Sequence, residues 1–232
     1  MKLFLDTDYR FKNKYLFQKY SLKNLTLERI RRLKQLQGAK EQLAFLLAEY
    51  RTLELLDEIY HTKAPKIFGK AGEKPYLVYG NGAEDEISFS RSYGGEYLAL
   101  AFGRSPLGVD CELLLKRDPL VMEYFFTKKE RRFVTESTNP DLVYTVIWTR
   151  KESVLKQNGK GLRFPFHKLE MLEDGFSEEA LGKIPKGYRG EIKTGSLQKT
   201  EGLYLKSFVT EHVILSVAGE ARELERIYYE ET

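Results

Sequence analysis

The segment Leu107-Gly108-Val109-Asp110-Cys111-Glu112 predicts a short β-strand, because apolar and polar side chains alternate along it. Successive side chains of a strand point to opposite faces, so Asp110 and Glu112 share one face while Cys111 points to the other. Two neighbouring carboxylates repel each other unless a cation lies between them. Mg²⁺ prefers a few carboxylate oxygens, completed by waters and substrate phosphates. Taken alone, the pattern more often marks a strand end whose polar side chains face solvent.

A second segment, residues 142–157, predicts a helix that stops before Gly159. Trp148, Glu152 and Lys156 fall at positions i, i+4 and i+8, so they form one row along that helix. The row would bring a third carboxylate and an ammonium group to the strand's carboxylate pair. A metal, a cation on the leaving oxygens and a base are the parts that a phosphoryl-type displacement needs. From spacing alone, an exposed Glu-Lys pair is the simpler interpretation.

The remaining chain alternates helical patterns with short strand patterns, which indicates an α+β protein with largely antiparallel sheet. The predicted elements are a helix over 26–60 broken near Gly38, strands over 87–90, 97–102 and 107–113, a helix from Pro119, an irregular loop over 181–202, a hairpin of 203–208 with 213–218, and a charged helix or tail at the end.

The composition is that of an ordinary globular protein, with 232 residues, 42% hydrophobic and 31% charged residues, and a net charge of +4. The single cysteine, Cys111, excludes an intramolecular disulfide and favours a reducing compartment. Since the first residues contain neither an apolar signal region nor a membrane-spanning run, we expect a cytoplasmic protein with no membrane partner. Its local basic groups fit an acidic protein or a phosphate-rich ligand better than duplex DNA, and they fit solvated helix faces about as well.

Four motifs occur in order between residues 108 and 162. They are Gly108-Val109-Asp110-x-Glu112, Phe125-Phe126-Thr127-x-x-Glu130, Trp148-Thr149-x-Lys151-Glu152-Ser153-x-x-Lys156 and Gly159-Lys160-Gly161-Leu162. In order and spacing they resemble the 4′-phosphopantetheinyl transferase superfamily, specifically its surfactin-synthetase-activating type. The strong resemblance covers roughly residues 86–162.

This resemblance implies a fold of two similar lobes, each a small, largely antiparallel sheet packed with helices. We expect the N-terminal lobe, with the coenzyme A-binding elements, over residues 1–106 and the C-terminal lobe, with the metal and catalytic motifs, over 107–232. The implied activity is Mg²⁺-dependent transfer of the 4′-phosphopantetheine group of coenzyme A to a serine of an apo acyl or peptidyl carrier protein, in the manner of a holo-acyl-carrier-protein synthase. A monomer is implied, because a length of 232 residues suits the two-lobe members of the family better than the half-length members, which trimerise.

The resemblance also implies roles for individual residues. Asp110, Glu112 and Glu152 would bind Mg²⁺, and Lys156 would contact the coenzyme A phosphates or protonate the leaving group. Glu152 is a candidate base for the carrier serine, and Glu130 is a weaker one. Trp148 is interpreted as a packing residue that fixes the helix.

Two coenzyme A-binding elements of the family occur here in altered form. Lys74-Pro75 follows Glu73 where the family has glycine, and Ser90-Arg91-Ser92 has arginine where the family has histidine. Arginine can grip a phosphate with two donors, so we expect Arg91 to bind the 3′-phosphate of coenzyme A. Lys40 is a further candidate phosphate contact, although a solvated helix position suits it better.

The basic residues Lys128, Lys129, Arg131 and Arg132 predict a docking face for the acidic helix of a carrier protein. Two other functions stay open at this point. One is a non-catalytic homologue that only binds coenzyme A or a carrier. The other is a generic Mg²⁺-dependent nucleotide enzyme, although the sequence contains no Walker-type phosphate loop.

Overall fold

The computed structural model describes residues 1–7, 13–60, 65–70, 73–78, 87–159, 165–172, 176–178, 181–192, 194–200 and 202–231. Its helices are α1 Asn13–Lys19, α2 Leu27–Gln35, α3 Ala39–Tyr60, α4 Pro119–Phe125, α5 Lys128–Glu136, α6 Pro140–Asn158 and α7 Ala221–Leu224. Its strands are β1 Lys2–Asp6, β2 Lys66–Phe68, β3 Tyr76–Val78, β4 Ser88–Gly94, β5 Tyr97–Gly103, β6 Gly108–Glu112, β7 Gly182–Lys183, β8 Arg189–Ile192, β9 Gln198–Thr200, β10 Leu203–Val209, β11 Ile214–Gly219 and β12 Ile227–Glu231. The predicted α+β class is confirmed.

Two five-stranded sheets form the centre of the molecule. The first sheet has the strand order β4-β5-β1-β12-β8. The second sheet has the order β6-β11-β10-β7, with β9 also paired to β10. Most neighbours are antiparallel, and β1–β12 and β10–β7 are parallel. Two lobes of sheet and helix result, as the family resemblance predicts.

Side-chain alternation divides the core into three layers. On β1, Phe4 packs with α3, whereas Leu3 and Leu5 face the second sheet. On β6, Val109 and Cys111 belong to the same layer between the sheets. A third apolar layer joins the other face of the second sheet to α6. The order is therefore helix, sheet, sheet, helix.

Helix α6 has clear signals at both ends. Asn139 caps its N-terminus by accepting a hydrogen bond from the amide of Leu142, and Pro140 opens the first turn. At the C-terminus, Gly159 takes the left-handed conformation with φ of 68°. The predicted glycine stop is confirmed at Gly159, while Gly161 lies outside the described residues.

The last third of the chain departs from the sequence-based expectation. The predicted loop over 181–202 contains β7, β8 and β9. The predicted terminal helix or tail contains β12, which pairs with β1 in the first sheet. Ile227 and Tyr229 alternate inward along β12, so burial of its apolar face outweighs its charged residues. Because β8 and β12 belong to the first sheet, sheet membership crosses the proposed lobe boundary at residue 106.

The described helices include none that is long and apolar enough to cross a lipid bilayer.

Close packing of β6 against α6 requires glycine at position 108. A Cβ atom there would lie 1.9 Å from the carbonyl oxygen of Ser153 and 2.5 Å from the amide nitrogen of Gln157. Both atoms are helix backbone, so neither can move without shifting α6 itself. The absence of a side chain thus sets the distance between the strand and the helix.

We predict that Gly108→Ala lowers the free energy of unfolding by about 3 kcal/mol, because the added methyl forces the strand away from α6. Gly38→Ala is the matched control. A Cβ atom there approaches nothing closer than 3.8 Å, so its effect should stay within about 0.5 kcal/mol. Urea unfolding measures both variants, and equal stabilities would contradict the close-packing argument.

Candidate active site

A cleft of about 560 Å³ opens between the two lobes. Its acidic end is lined by Asp110, Glu112 and Glu152, together with Trp148 and Lys156. Its basic end is lined by Arg29, Arg32, Lys70 and Arg91, together with Phe45. Lys74, Pro75, Ser90 and Ser92 also line the cleft. The structure therefore brings most of the predicted site residues together.

The acidic end combines one strand with one helix face. Asp110 and Glu112 project from β6 into the cleft, while Cys111 between them is fully buried in the layer between the sheets. Trp148, Glu152 and Lys156 line the same cleft from α6, as their spacing predicts. Burial and the negative charge of Asp110 raise the pKa of Cys111 to about 12, so its thiol is not a nucleophile here.

Burial, and next the charge of Asp110, raises the pKa values of two glutamates at the acidic end, Glu112 and Glu152. The pKa of Glu112 rises to about 7. A cation placed among these carboxylates would lower the pKa values of both glutamates.

The acidic end fits a metal ion that is completed by its substrate. Asp110 Oδ2 is buried and has no hydrogen-bond partner among the described residues. Within the same residues, no three His, Cys, Asp or Glu side chains are close enough to form a ready-made metal site. Mg²⁺ often uses one or two carboxylates and takes its other ligands from water and substrate phosphates, so an incomplete protein site is consistent with it.

Trp148 has a second role besides packing. Its ring packs edge-to-face on Phe125, with the centroids 5.8 Å apart, which agrees with the predicted packing role. Its side chain also hydrogen-bonds Glu112 and so opposes the rise in that carboxyl's pKa. Trp148 thereby fixes one of the acidic side chains as well as the helix.

The basic end is organised around the fully buried carboxylate of Glu49. Glu49 Oε1 accepts hydrogen bonds from Arg29 Nε and Nη2 at 3.1 and 2.5 Å, and it also pairs with Arg91 Nη2. The guanidinium carbons of both arginines lie over the ring of Phe45, at 4.9 and 5.9 Å from its centroid. Burial would raise the pKa of Glu49, but its arginine partners outweigh burial and lower that pKa.

This arrangement changes the expected role of Arg91. Its Nη2 is bound to Glu49 and its Nη1 donates to Thr52 Oγ1 at 3.4 Å, so fewer of the five N–H donors of Arg91 are left for a phosphate. The site residues predicted from the sequence did not include Arg29, Arg32 or Lys70. The i, i+3 spacing of Arg29 and Arg32 on a helix is the signal that could have found the first two.

Lys74 lies in the wall of the cleft. Its Nζ donates to the carbonyl oxygens of Leu107 at 2.7 Å and Gln157 at 3.3 Å. Burial desolvates the ammonium of Lys74 and lowers its pKa to about 8. Lys74 thus joins the N-terminal half of the chain to the C-terminal end of α6.

Two predicted site residues do not reach the cleft. Lys40 is exposed and lies beside Leu43 and Leu47 at a separate shallow pocket on α3. Glu130 is fully buried, so its predicted part in deprotonation has no support from this geometry.

The contacts of Glu130 explain its burial. Its side chain accepts from the amides of Thr127 at 2.8 Å and Met171 at 2.7 Å and forms an ion pair with Lys151 at 2.9 Å. Thr127 and Glu130 form the capping box that starts α5. Glu130 is therefore a structural residue of the second lobe.

Comparison with known proteins gives one family and several relatives. The family model described as the 4′-phosphopantetheinyl transferase superfamily matches residues 106–213. The chain is 25% identical over 134 residues to the 4′-phosphopantetheinyl transferase gsp of Aneurinibacillus migulanus, a match that covers 56% of this chain and 54% of that one. It is 34% identical over 92 residues to the 4′-phosphopantetheinyl transferase ffp of Bacillus subtilis, covering 38% and 41%. It is 35% identical over 86 residues to the 4′-phosphopantetheinyl transferase Sfp of Bacillus subtilis strain 168, covering 34% and 37%. The chain thus spans about half or less of the length of the curated relatives it matches.

We predict that Glu130→Ala lowers the free energy of unfolding by about 3–5 kcal/mol, because it leaves the ammonium of Lys151 buried without its carboxylate. Glu136→Ala is the matched control, since the Glu136–Arg132 pair is exposed and should contribute less than about 1 kcal/mol. Urea unfolding measures the difference. Similar losses in the two variants would show that the buried pair is not what stabilises this region.

Proposed function

We propose that the chain is a member of the 4′-phosphopantetheinyl transferase superfamily and that it transfers the 4′-phosphopantetheine group of coenzyme A to a serine of an apo acyl or peptidyl carrier protein. The products are a holo carrier protein and adenosine 3′,5′-bisphosphate. One observation carries this proposal: a single cleft has arginines and lysines at one end and three carboxylates with Lys156 at the other. Such a cleft complements a ligand that carries a phosphate monoester and a metal-bound pyrophosphate.

The basic end is proposed to bind the 3′-phosphate of coenzyme A. Arg32 is half-buried in the cleft and has no ion-pair partner among the described residues, so its guanidinium is available to a ligand. Arg29 and Arg91 share the single charge of Glu49, which leaves one net positive charge on that trio. Together these groups favour a dianionic phosphate over a neutral ligand.

The acidic end is proposed to bind Mg²⁺ through Asp110, Glu112 and Glu152. Once bound there, the ion would neutralise the charge of the pyrophosphate. The carboxylates and the pyrophosphate are all negatively charged, so they repel each other in the absence of a cation. The pyrophosphate can therefore approach the carboxylates only where a bound cation lies between them. Asp110 is the best placed of the three, because its buried Oδ2 lacks a partner among the described residues.

The reaction joins the carrier serine oxygen to the phosphorus that bears the pantetheine and breaks that phosphorus's bond to the bridging oxygen. Glu152 is the proposed base for the serine proton, because its carboxylate lines the cleft together with Asp110, Glu112 and Lys156. Lys156, whose Nζ lies 2.6 Å from Asp110 Oδ1, would stabilise charge on the departing adenosine bisphosphate. Glu130 has no part in this scheme.

Several finer expectations belong to the same proposal. The cleft is built from one chain, which supports action as a monomer. We place the boundary between the lobes at residue 106 for the helices and the site motifs, while β8 and β12 return to the first sheet. We also expect a cytoplasmic location.

The alternative function is a homologue that binds coenzyme A or a carrier without turnover. The ion pair between Arg91 and Glu49 is the observation that favours this alternative.

Carrier modification is the direct test. With Mg²⁺, coenzyme A and an apo carrier, the protein should add one phosphopantetheine group to the carrier, as measured by the carrier's intact mass. Asp110→Ala should abolish this gain, whereas Cys111→Ala should retain it, because only Asp110 faces the cleft. Equal loss in both folded variants would contradict the metal assignment. Coenzyme A binding without any mass gain would support the alternative function.

An exposed apolar surface next to the acidic end is proposed as the carrier-docking face. Leu113 and Leu114 directly follow Glu112 and are 43% and 58% exposed. Leu120 and Tyr124 share a face of α4 at i, i+4 and are 66% and 70% exposed. Exposed apolar patches of this kind commonly mark protein-binding sites. Such a face would receive the apolar side of a carrier helix near its modified serine.

Basic residues flank this apolar face. Lys116, Arg117 and Lys128 are exposed, which suits an acidic carrier. Lys129 Nζ donates to the carbonyl oxygen of Leu172, and Arg132 pairs with Glu136, so these two are less available than the sequence suggests.

We predict that Leu120→Ser combined with Tyr124→Ser raises the KM for the carrier about tenfold, equivalent to about 1.4 kcal/mol, and leaves the KM for coenzyme A unchanged. Leu43→Ser is the matched control, because this exposed leucine lies on α3 away from the cleft. Reversing Lys128 and Lys129 to glutamate should raise the carrier KM and flatten its salt dependence. Unchanged carrier KM values would place docking elsewhere.

A further inference from the structure

Small side chains on alternate positions of β4 let it approach β6 closely. Ser90, Ser92 and Gly94 lie on one face of β4. A Cβ atom at Gly94 would lie 2.9 Å from the carbonyl oxygen of Cys111 in β6. β4 is an edge strand of the first sheet and β6 is an edge strand of the second, so this approach joins the two sheets at the cleft.

The two serine hydroxyls make the polar contacts across this junction. Ser90 Oγ accepts a hydrogen bond from the backbone amide of Val109 at 3.0 Å. Ser92 Oγ donates to Asp110 Oδ1 at 2.6 Å. Ser90 thus satisfies an edge amide of β6, while Ser92 acts on a side chain of the acidic end.

Ser92 belongs to a closed triangle of hydrogen bonds. Lys156 Nζ donates to Ser92 Oγ at 2.7 Å and to Asp110 Oδ1 at 2.6 Å. Ser92 is 4% exposed and Asp110 is 2% exposed, so bulk water does not compete for these bonds. Because the three groups come from β4, β6 and α6, the triangle fixes three elements relative to one another.

The number of protons in the triangle limits what Ser92 can do. A serine hydroxyl has one proton, and here Asp110 accepts it. Phosphate oxygens need a donor, so Ser92 cannot donate to a phosphate while this bond exists. The expectation that Ser92 contacts coenzyme A therefore does not follow from its position in the structure.

We propose that Ser92 is a positioning residue that holds the Asp110 carboxylate in the orientation needed for a cation. This inference rests on the proposed function. Ser92 and Lys156 both bind Oδ1, which leaves the buried Oδ2 as the oxygen free of a partner among the described residues. Without the hydroxyl, the carboxylate can rotate and Lys156 can bind Oδ2, which would block the cation position.

Binding of Mn²⁺ tests the proposal without any transfer step. Free Mn²⁺ is measured by electron paramagnetic resonance in a titration of the full-length protein with coenzyme A present. We expect Ser92→Ala to weaken Mn²⁺ binding by about tenfold or more, as is typical when a residue supporting a metal ligand is lost. Ser153→Ala is the matched control, because its buried hydroxyl donates only to the carbonyl oxygen of Arg150 in its own helix, and it should bind Mn²⁺ like the unchanged protein.

Kinetics and a conservative variant separate positioning from simple structural damage. Ser92→Ala should lower kcat about tenfold or more while the KM for coenzyme A stays within about twofold. Ser92→Thr, which keeps the hydroxyl, should recover most of the Mn²⁺ affinity, provided that its thermal unfolding matches that of Ser92→Ala. An alanine variant with unchanged Mn²⁺ affinity would overturn the proposal. A Ser92→Ala variant that loses only its affinity for coenzyme A would also overturn it. The same holds if the unchanged protein binds no Mn²⁺. If the unchanged protein binds Mn²⁺ but leaves every carrier unmodified, the proposed function fails and the positioning role stands.

Discussion

The close contact of β6 with its neighbours is the constraint on which the rest of the site depends. Gly108 places the strand's backbone directly against α6, and Gly94 of β4 places a second backbone against Cys111. Between these two contacts the strand has little freedom to shift or rotate. Backbone packing therefore sets the direction in which Asp110 and Glu112 project. Hydrogen bonds from Ser92 and Lys156 then orient the carboxylate of Asp110, and one from Trp148 orients that of Glu112.

The charged groups of the molecule fall into two kinds according to how their burial is compensated. Glu49 with its two arginines, and Glu130 with Lys151, are buried charges that meet opposite charges at short distance. The carboxylates of the acidic end have partial compensation only, and the pKa of Glu112 rises to about 7 as a result. Uncompensated charge in a cleft marks where a ligand of opposite charge gains most. The contrast explains why Glu130, despite lying in a family motif, is structural while Glu152 faces the cleft.

Local periodicity predicted the acidic end, because strand alternation and helical spacing depend only on neighbours in sequence. The basic end depends on contacts distant in sequence, such as Arg29 Nη1 to the carbonyl oxygen of Gly69, and no local pattern encodes them. The burial of Glu130 could have been foreseen from the sequence, since Thr127-x-x-Glu130 is a capping-box spacing and the structure contains that capping box. The strand β12 was missed because its charged residues conceal the alternation of Ile227 and Tyr229.

The C-terminal strand has a mechanical consequence for the cleft. β12 pairs in parallel with β1 at the centre of the first sheet, although the chain reaches it only after building the second sheet. The lobes are thus joined by β8 and β12, which return to the first sheet, and by the apolar layer between the sheets. Opening the cleft as a hinge would expose that layer to water, at a cost of roughly 25 cal/mol for each Å² of apolar surface. A cleft held in this way presents its acidic and basic ends at a fixed separation. When a ligand bridges the two ends, little binding free energy is lost to ordering the protein. That loss would be larger if the two lobes moved independently.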